Sequence, residues 1–442
     1  MHVAIVCALY LIQSAAKDRI QFMKIIVAHP QRQHSYRLAE ALNSAHMLGA
    51  YCTTVYYRPH TLTAIVARLL PPFWRKKATS RHSDCLSNEL VIQYSEFGGL
   101  AFLFTHNLSF AKRWCSQVER IVDDRFARKV AKLVAKTGAD AVVGYDGHSA
   151  VLFEEVRRLS PSTVCIADMS AGNALYLRSV YEKDIQLKPD FSDSLHGWRR
   201  VWDPIDVDRT KRELEATDAF LCGSTFVERS LGYSGIPQDK CRVCHYGVDV
   251  SAFSYAPRQA RSENEPLTFI YLGQVAEHKG ISYLLEAFRD IEASRARLIC
   301  VGTIYIPDSI VASLSSNIEL KGMVQHDEVS ELLLSADVMI FPSLGDGFAL
   351  SIMEGFASGL PVVCTDNTGA ADCVVEGENG FIVPTQDAAA LRSKIDWFLN
   401  NRNKIPGMAE AARKCALDLT WDDYYANAVI AITELVEEVR CE

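Results

Sequence analysis

The sequence predicts an α/β protein made of two doubly wound halves, each a parallel sheet flanked by helices. Three observations predict it. Apolar runs of strand length alternate with stretches of helical period along most of the chain. A polar, proline-bearing stretch at 248–266 interrupts the alternation, and the same pattern then restarts. At 442 residues the chain is too long for one compact core and has the length of two or three domains.

With 49% hydrophobic and 23% charged residues, the balance is that of a soluble globular protein, and a formal charge of −8 gives no ground for nucleic-acid binding. The 13 cysteines stand singly, mostly inside apolar runs such as Val164-Cys165-Ile166. Buried reduced thiols fit that better than a disulfide framework, so a cytoplasmic location is expected. Cys241 and Cys244 form a CxxC on a predicted strand, where positions three apart point to opposite faces, which argues against zinc.

Taken in order, VAIVCALYLI near the start has the apolar core of a signal peptide, yet no Lys or Arg precedes it. Residues 1–22 are therefore expected to be an untranslated leader or extended start, with Met23 beginning the folded chain. Elsewhere nothing approaches the roughly 20 apolar residues of a membrane span. Residues 24–30 read as a strand entering a loop, 35–48 as a helix and 52–57 as a strand. Residues 62–77, LTAIVARLLPPFWRKK, mix apolar, aromatic and basic side chains around Pro71-Pro72. They suit a core helix with a solvated end, or peripheral contact with an anionic membrane surface. Residues 100–105 and 141–145 read as buried strands, with a basic helix at 125–136 between them. A strand follows at 164–167. Residues 179–209 show no sustained period and are expected to form an irregular loop or active-site flap. Strands at 219–222 and 241–245 close this half, with Ser224 capping the helix between them.

In the second half strands are expected at 269–272, 297–301, 318–321, 338–341 and 361–364, and helices at 281–288 and 327–334. Ligands of such sheets gather beyond the carboxyl ends of the strands, so the loops 273–280, 302–307 and 343–348 are expected to line one cleft. Residues 338–366, VMIFPSLGDGFALSIMEGFASGLPVVCTD, concentrate the chemistry. Asp346 stands at a helix entrance, able to cap N–H groups or receive ligand hydroxyls, and Gly347 allows close approach to the backbone. Were all eight steps from Asp346 to Glu354 helical, the two acids would lie roughly 12 Å apart along the axis, within reach of one elongated ligand. An N-cap Asp with a surface Glu is the alternative.

Several stretches in order carry a resemblance. TDAFLCGSTFVERSLGYSGIPQDKCRVCHYGVDVSAF, FIYLGQVAEHKGISYLLEAF, IELKGMVQHDEVSELLLSADVMIFPS, the 338–366 segment and NGFIVPTQDAAAL resemble the retaining glycosyltransferases of family 4. The resemblance spans about Thr217 to Tyr424. It implies the GT-B fold, two Rossmann-like domains facing across a cleft, and sugar transfer from a nucleoside diphosphate sugar with retention at the anomeric carbon. No metal or other cofactor is implied. An N-terminal acceptor-binding domain would cover 23–246, completed by a C-terminal helix at 425–442, and a donor-binding domain would cover 247–424. Hinges would fall near the linker and Leu419.

By the same resemblance Lys279 would face the diphosphate, Glu354 the ribose and Asp346 the hydroxyls of the donor sugar. Gly273, Gln274, Gly347, Phe348, Ala349 and Leu350 would complete the donor site. The physical demands fit, since a departing diphosphate needs cations and a helix N-terminus, and a carboxylate accepts from neighbouring hydroxyls. The chain also departs from the pattern. Gln274 stands where the family usually has Arg, and Asp346 where it usually has Glu. The N-terminal loop HPQRQHSY lacks glycine, leaving Arg32, Gln33, His34 or Ser35 to contact acceptor or phosphate, with Ser35 alternatively a helix cap. Asp168 replaces a common His and would serve the acceptor hydroxyl or the reacting sugar, unless it anchors the loop. His148 is a second candidate, with a structural role as the alternative. The implied acceptor is a glycan, lipid-linked or part of a cell-surface polysaccharide. A non-catalytic nucleotide-sugar-binding subunit and a sugar-nucleotide epimerase on the same scaffold are the competing readings.

Overall fold

A computed structural model describes residues 23–31, 34–108 and 113–441. The leader expected at 1–22 and the loop candidates Arg32 and Gln33 lie outside the described residues.

Two parallel sheets organise the chain. The first holds β1 (Ile25–Ala28), β2 (Leu48–Thr53), β3 (Val91–Gln93), β4 (Ala141–Tyr145), β5 (Val164–Met169), β6 (Ala219–Cys222) and β7 (Cys241–Val243), in the order β3-β2-β1-β4-β5-β6-β7. In the second, β8 (Leu267–Leu272), β9 (Ala296–Val301), β10 (Ile318–Gly322), β11 (Val338–Phe341), β12 (Val362–Thr365) and β13 (Gly380–Val383) run in the order β10-β9-β8-β11-β12-β13. Each sheet therefore reverses direction once, between β1 and β4 and between β8 and β11. These are the crevices where doubly wound sheets bind ligands.

The central strands are largely apolar because helices cover both faces, while the edge strand β10, IELKG, carries Glu319 and Lys321. Ile25 and Val27 of β1 enter one core layer, Ile26 and Ala28 the other. Cys244 and Cys241 likewise fall in different layers, so the CxxC pair does point to opposite faces. Among the described residues no helix is long and apolar enough to cross a membrane.

Two segments differ from the sequence reading. Residues 100–105 belong to the helix Glu96–Asn107, and the edge strand is the shorter β3 just before it. An apolar run of six residues carries no period that separates the two states, and this helix is apolar on several sides. The expected irregular loop at 179–209 is instead a chain of helices, Ala174–Leu187, Ser192–His196, Arg199–Trp202 and Pro204–Ala216. Pro189 and Pro204 break the period, while Asn173 and Asp203 accept backbone N–H groups as caps. Buried Tyr181, Leu195 and Val201 pin this chain to the first sheet's core.

The last helix, Trp421–Cys441, returns to the first sheet and buries Tyr424, Ala428, Ile432, Leu435 and Val436. Each large aliphatic among them contributes about 1.5–3 kcal/mol. Charged contacts fix its rim, with Arg440 on Asp140 at 2.7 Å and Arg242 on Glu434 at 3.1 Å. The chain passes between the two sheets twice, and the crossings are bonded to each other, Val248 N–H donating to Leu419 O at 3.0 Å.

Candidate active site

On the second sheet, the loop after β8 turns through Glu277–Lys279 and reaches Gly280, whose φ is 67°. A Cβ there would lie 1.9 Å from Pro342 O, so glycine is needed both for the left-handed backbone and for the contact with the loop after β11. That contact brings Lys279 Nζ onto Asp346 Oδ2. The other oxygen, Oδ1, accepts from Ala349 N–H at 2.6 Å and Phe348 N–H at 3.3 Å. Asp346 therefore both caps the turn and presents charge to the cleft, which joins the two readings of this residue. Helix Leu350–Ala357 begins only after Ala349, which is left-handed at φ 57°. The eight helical steps assumed between Asp346 and Glu354 are not realised.

On the first sheet, the loop after β1 carries His34. Its Nε2 lies 3.2 Å from both oxygens of Asp168 at the end of β5, and 3.0 Å from Tyr246 Oη. An ionised carboxylate only accepts, so in the Asp168 contact Nε2 carries the proton. Burial, then the charge of Asp168, holds the Tyr246 phenol well above its ordinary pKa, so it stays a neutral hydroxyl.

Between these walls lies a cleft of about 460 Å³ whose lining includes His34, Ser170, Tyr246, Gly273, Lys279 and Asp346, with Gly302, Phe348, Ala349, Leu350 and Ser351 and an apolar floor of Leu272, Val301 and Phe341. All three expected loops of the second half reach it. Glu354 is half-buried and does not line it, although Ser351, one helical turn earlier, does. Gln274 is exposed beside Gly273. Gly347 meets the first domain. A Cβ on it would stand 1.8 Å from Ser170 O of the first domain, and its carbonyl accepts from Ser224 Oγ at 2.6 Å.

Two candidates lie away from the cleft. Ser35 is wholly buried with its hydroxyl 2.8 Å from Tyr51 Oη, and it is the first residue of its helix rather than the cap. His148 is buried between Asp123, 2.7 Å from Nδ1, and Arg200, which donates to Nε2 at 2.8 Å. Nδ1 therefore carries its proton, and the ring is a structural link.

Sequence reasoning missed what stands behind Lys279. His278 packs on Trp198 of the first domain, ring centroids 4.6 Å apart. Burial, reinforced by Lys279, pushes its pKa down to about 3, so the ring adds no charge beside the lysine. Glu277 is buried against Asp184 of the first domain, whose carboxylate accepts from Tyr283 Oη at 2.7 Å and Gln386 Nε2 at 2.9 Å. Burial, then the neighbouring Asp184, raises Glu277 well above the carboxylate range. An acid buried next to a cleft lysine has no local signature, because its partner comes from the other domain.

Two facing doubly wound domains with a polar cleft at their switch points define the GT-B class of protein. Sucrose-phosphate synthase from Thermosynechococcus elongatus superposes with a TM-score of 0.61 at 18% identity, covering 94% of this chain and 98% of that one. HepE of Anabaena in complex with UDP gives a TM-score of 0.58 at 12% identity over 93% of this chain and 100% of its own. Residues 255–415 match the model of the family Glycosyl transferases group 1. Among curated proteins, the putative colanic acid biosynthesis glycosyltransferase WcaL of Salmonella typhimurium is 32% identical over 177 residues, 37% of this chain and 43% of its own. The chain spans about half the length of the curated relatives it matches.

Proposed function

We propose that the protein is a retaining glycosyltransferase that moves a sugar from a nucleoside diphosphate sugar to a glycan acceptor, lipid-linked or part of a cell-surface polysaccharide. The observation that carries the reading is the meeting of Lys279 and Asp346 at one switch point, opposite His34, which the buried Asp168 holds from behind, across the same cleft. A diphosphate draws Lys279 and the N–H groups opening helix Leu350–Ala357, while the donor hydroxyls draw Asp346. We assign the ribose to Glu354 on the turn behind Ser351, and no metal to the site.

In the reaction the bond from the anomeric carbon to the diphosphate oxygen breaks as the acceptor oxygen bonds on the same face. The departing phosphate oxygen takes the acceptor proton. Asp168 and His34 orient the acceptor hydroxyl. The protein would work in the cytoplasm, with residues 62–77 against the membrane that carries the acceptor.

A thermal-shift screen with uridine, guanosine and adenosine diphosphates and their sugars tests the donor. NMR of the product's anomeric configuration then tests retention. Stabilisation by no nucleotide, or an inverted product, overturns the reading.

A further inference from the structure

Helix Glu96–Asn107, of which residues 100–105 were expected to be a buried strand, forms one wall of an apolar groove of about 660 Å³. Phe97, Leu100 and Phe104 face Leu62, Val66 and Trp74 of the preceding pair of helices, Leu62–Leu69 and Pro72–Thr79. These are open surfaces, with Leu69 81% exposed, Phe97 77% and Phe73 70%. Helix Pro72–Thr79 has no buried residue at all.

Charge separates a lipid from a protein as the occupant. Residues 61–82 contain Arg68, Arg75, Lys76, Lys77 and Arg81 with no Asp or Glu, in a chain of net charge −8. At the end of the groove, Glu96 is engaged by the N–H of Thr63 at 2.7 Å and its hydroxyl at 2.6 Å. Lys77 Nζ sits 5.4 Å above the Trp74 ring, and both residues line the groove. Bare apolar surface rimmed by cations suits hydrocarbon below and phosphate above.

The groove also touches the cleft's scaffold. Val55 lines it, and the adjacent Thr54 donates to Pro30 O at 2.5 Å, in the loop that leads to His34. A Cβ on Gly99 would lie 2.4 Å from Thr54 Oγ1, so the wall helix is seated directly on this anchor.

We propose that the groove binds a hydrocarbon chain of an anionic membrane lipid, with the cations of residues 68–81 on the surrounding headgroup phosphates. The proposal rests on the membrane contact assigned above to residues 62–77 and adds the occupied site and the second helix that builds it.

Vesicle co-sedimentation of the full chain tests it. Binding is expected to phosphatidylcholine vesicles containing phosphatidylglycerol and not to phosphatidylcholine alone. Replacing Lys76→Gln and Lys77→Gln together should weaken it by roughly 25-fold, about fivefold per cation. Lipids brominated in the acyl chain should quench Trp74, and the quenched component should vanish in Trp74→Phe. No sedimentation with anionic vesicles overturns the proposal, as does sedimentation without Trp74 quenching, which leaves a charge contact with an empty groove. Protection of the patch by a protein in place of vesicles overturns it too. Nucleoside diphosphate binding by the same samples is read separately, and its failure would remove the transferase reading while leaving the groove as tested.

Discussion

Lys279 and Asp346 neutralise each other across the second domain's switch point, and each is the group that half of a nucleotide sugar requires. In the proposed reaction donor binding is an exchange, in which diphosphate takes the lysine as sugar hydroxyls take the carboxylate. Lys279→Ala should cost about 100-fold in kcat, the scale of losing one donor at a developing anion. Asp346→Asn keeps an oxygen for the Ala349 N–H and should lose sugar-dependent turnover while nucleoside diphosphate still binds. Calorimetry with the diphosphate and with its sugar separates the two effects, and equal losses for both ligands in Asp346→Asn would contradict the assignment.

Gly347→Ala tests how close the domains must come. Its Cβ would sit 1.8 Å from a backbone oxygen that has no rotamer to yield. Displacing this contact by about an ångström should lower kcat by about 100-fold. Small-angle scattering should show a larger radius of gyration, and an unchanged radius with full activity would show that the domains yield freely.

His34→Gln and Asp168→Asn should each reduce acceptor-dependent turnover roughly 100-fold with donor affinity preserved. Weakened donor binding would move the pair from the acceptor side of the cleft to the donor side.

Arg at position 274 would place a guanidinium beside Gly273. Gln274→Arg is expected to tighten nucleoside diphosphate binding about tenfold, the low end for a charged hydrogen bond. Looser binding would remove this loop from the diphosphate.

Stability should depend on pH through His278. Its folded pKa of about 3 lies below the ordinary 6.5, so the folded state binds the proton more weakly than the unfolded chain. The contribution is fully present above pH 6.5 and is lost as the pH falls towards 3. The melting temperature should decline through that window, and His278→Gln should flatten that part of the decline. An unaltered slope in the variant would place its origin in other groups.

Legibility followed the length and surroundings of each segment. Residues 281–288 and 338–341 were read to the residue, because one is a full amphipathic stretch after a glycine and the other a short run ended by Pro342. Phe97 and Phe104 misled, since a helix bearing an uncovered apolar wall has the composition of a buried strand. In the cleft, the convergence of the loops carrying Lys279 and Asp346 was readable from the sheet topology, while their ion pair was not read. The contacts of His34 with Asp168, and of Glu277 with Asp184, join residues far apart in sequence, and no local pattern announces them.

Helix Trp421–Cys441 completes the face of a sheet whose last strand ended at Val243. During synthesis the entire second domain is made between these two pieces. Until then the apolar face that Ile432 and Leu435 come to cover stays open to water, so the first sheet completes its core only after the second domain has been made.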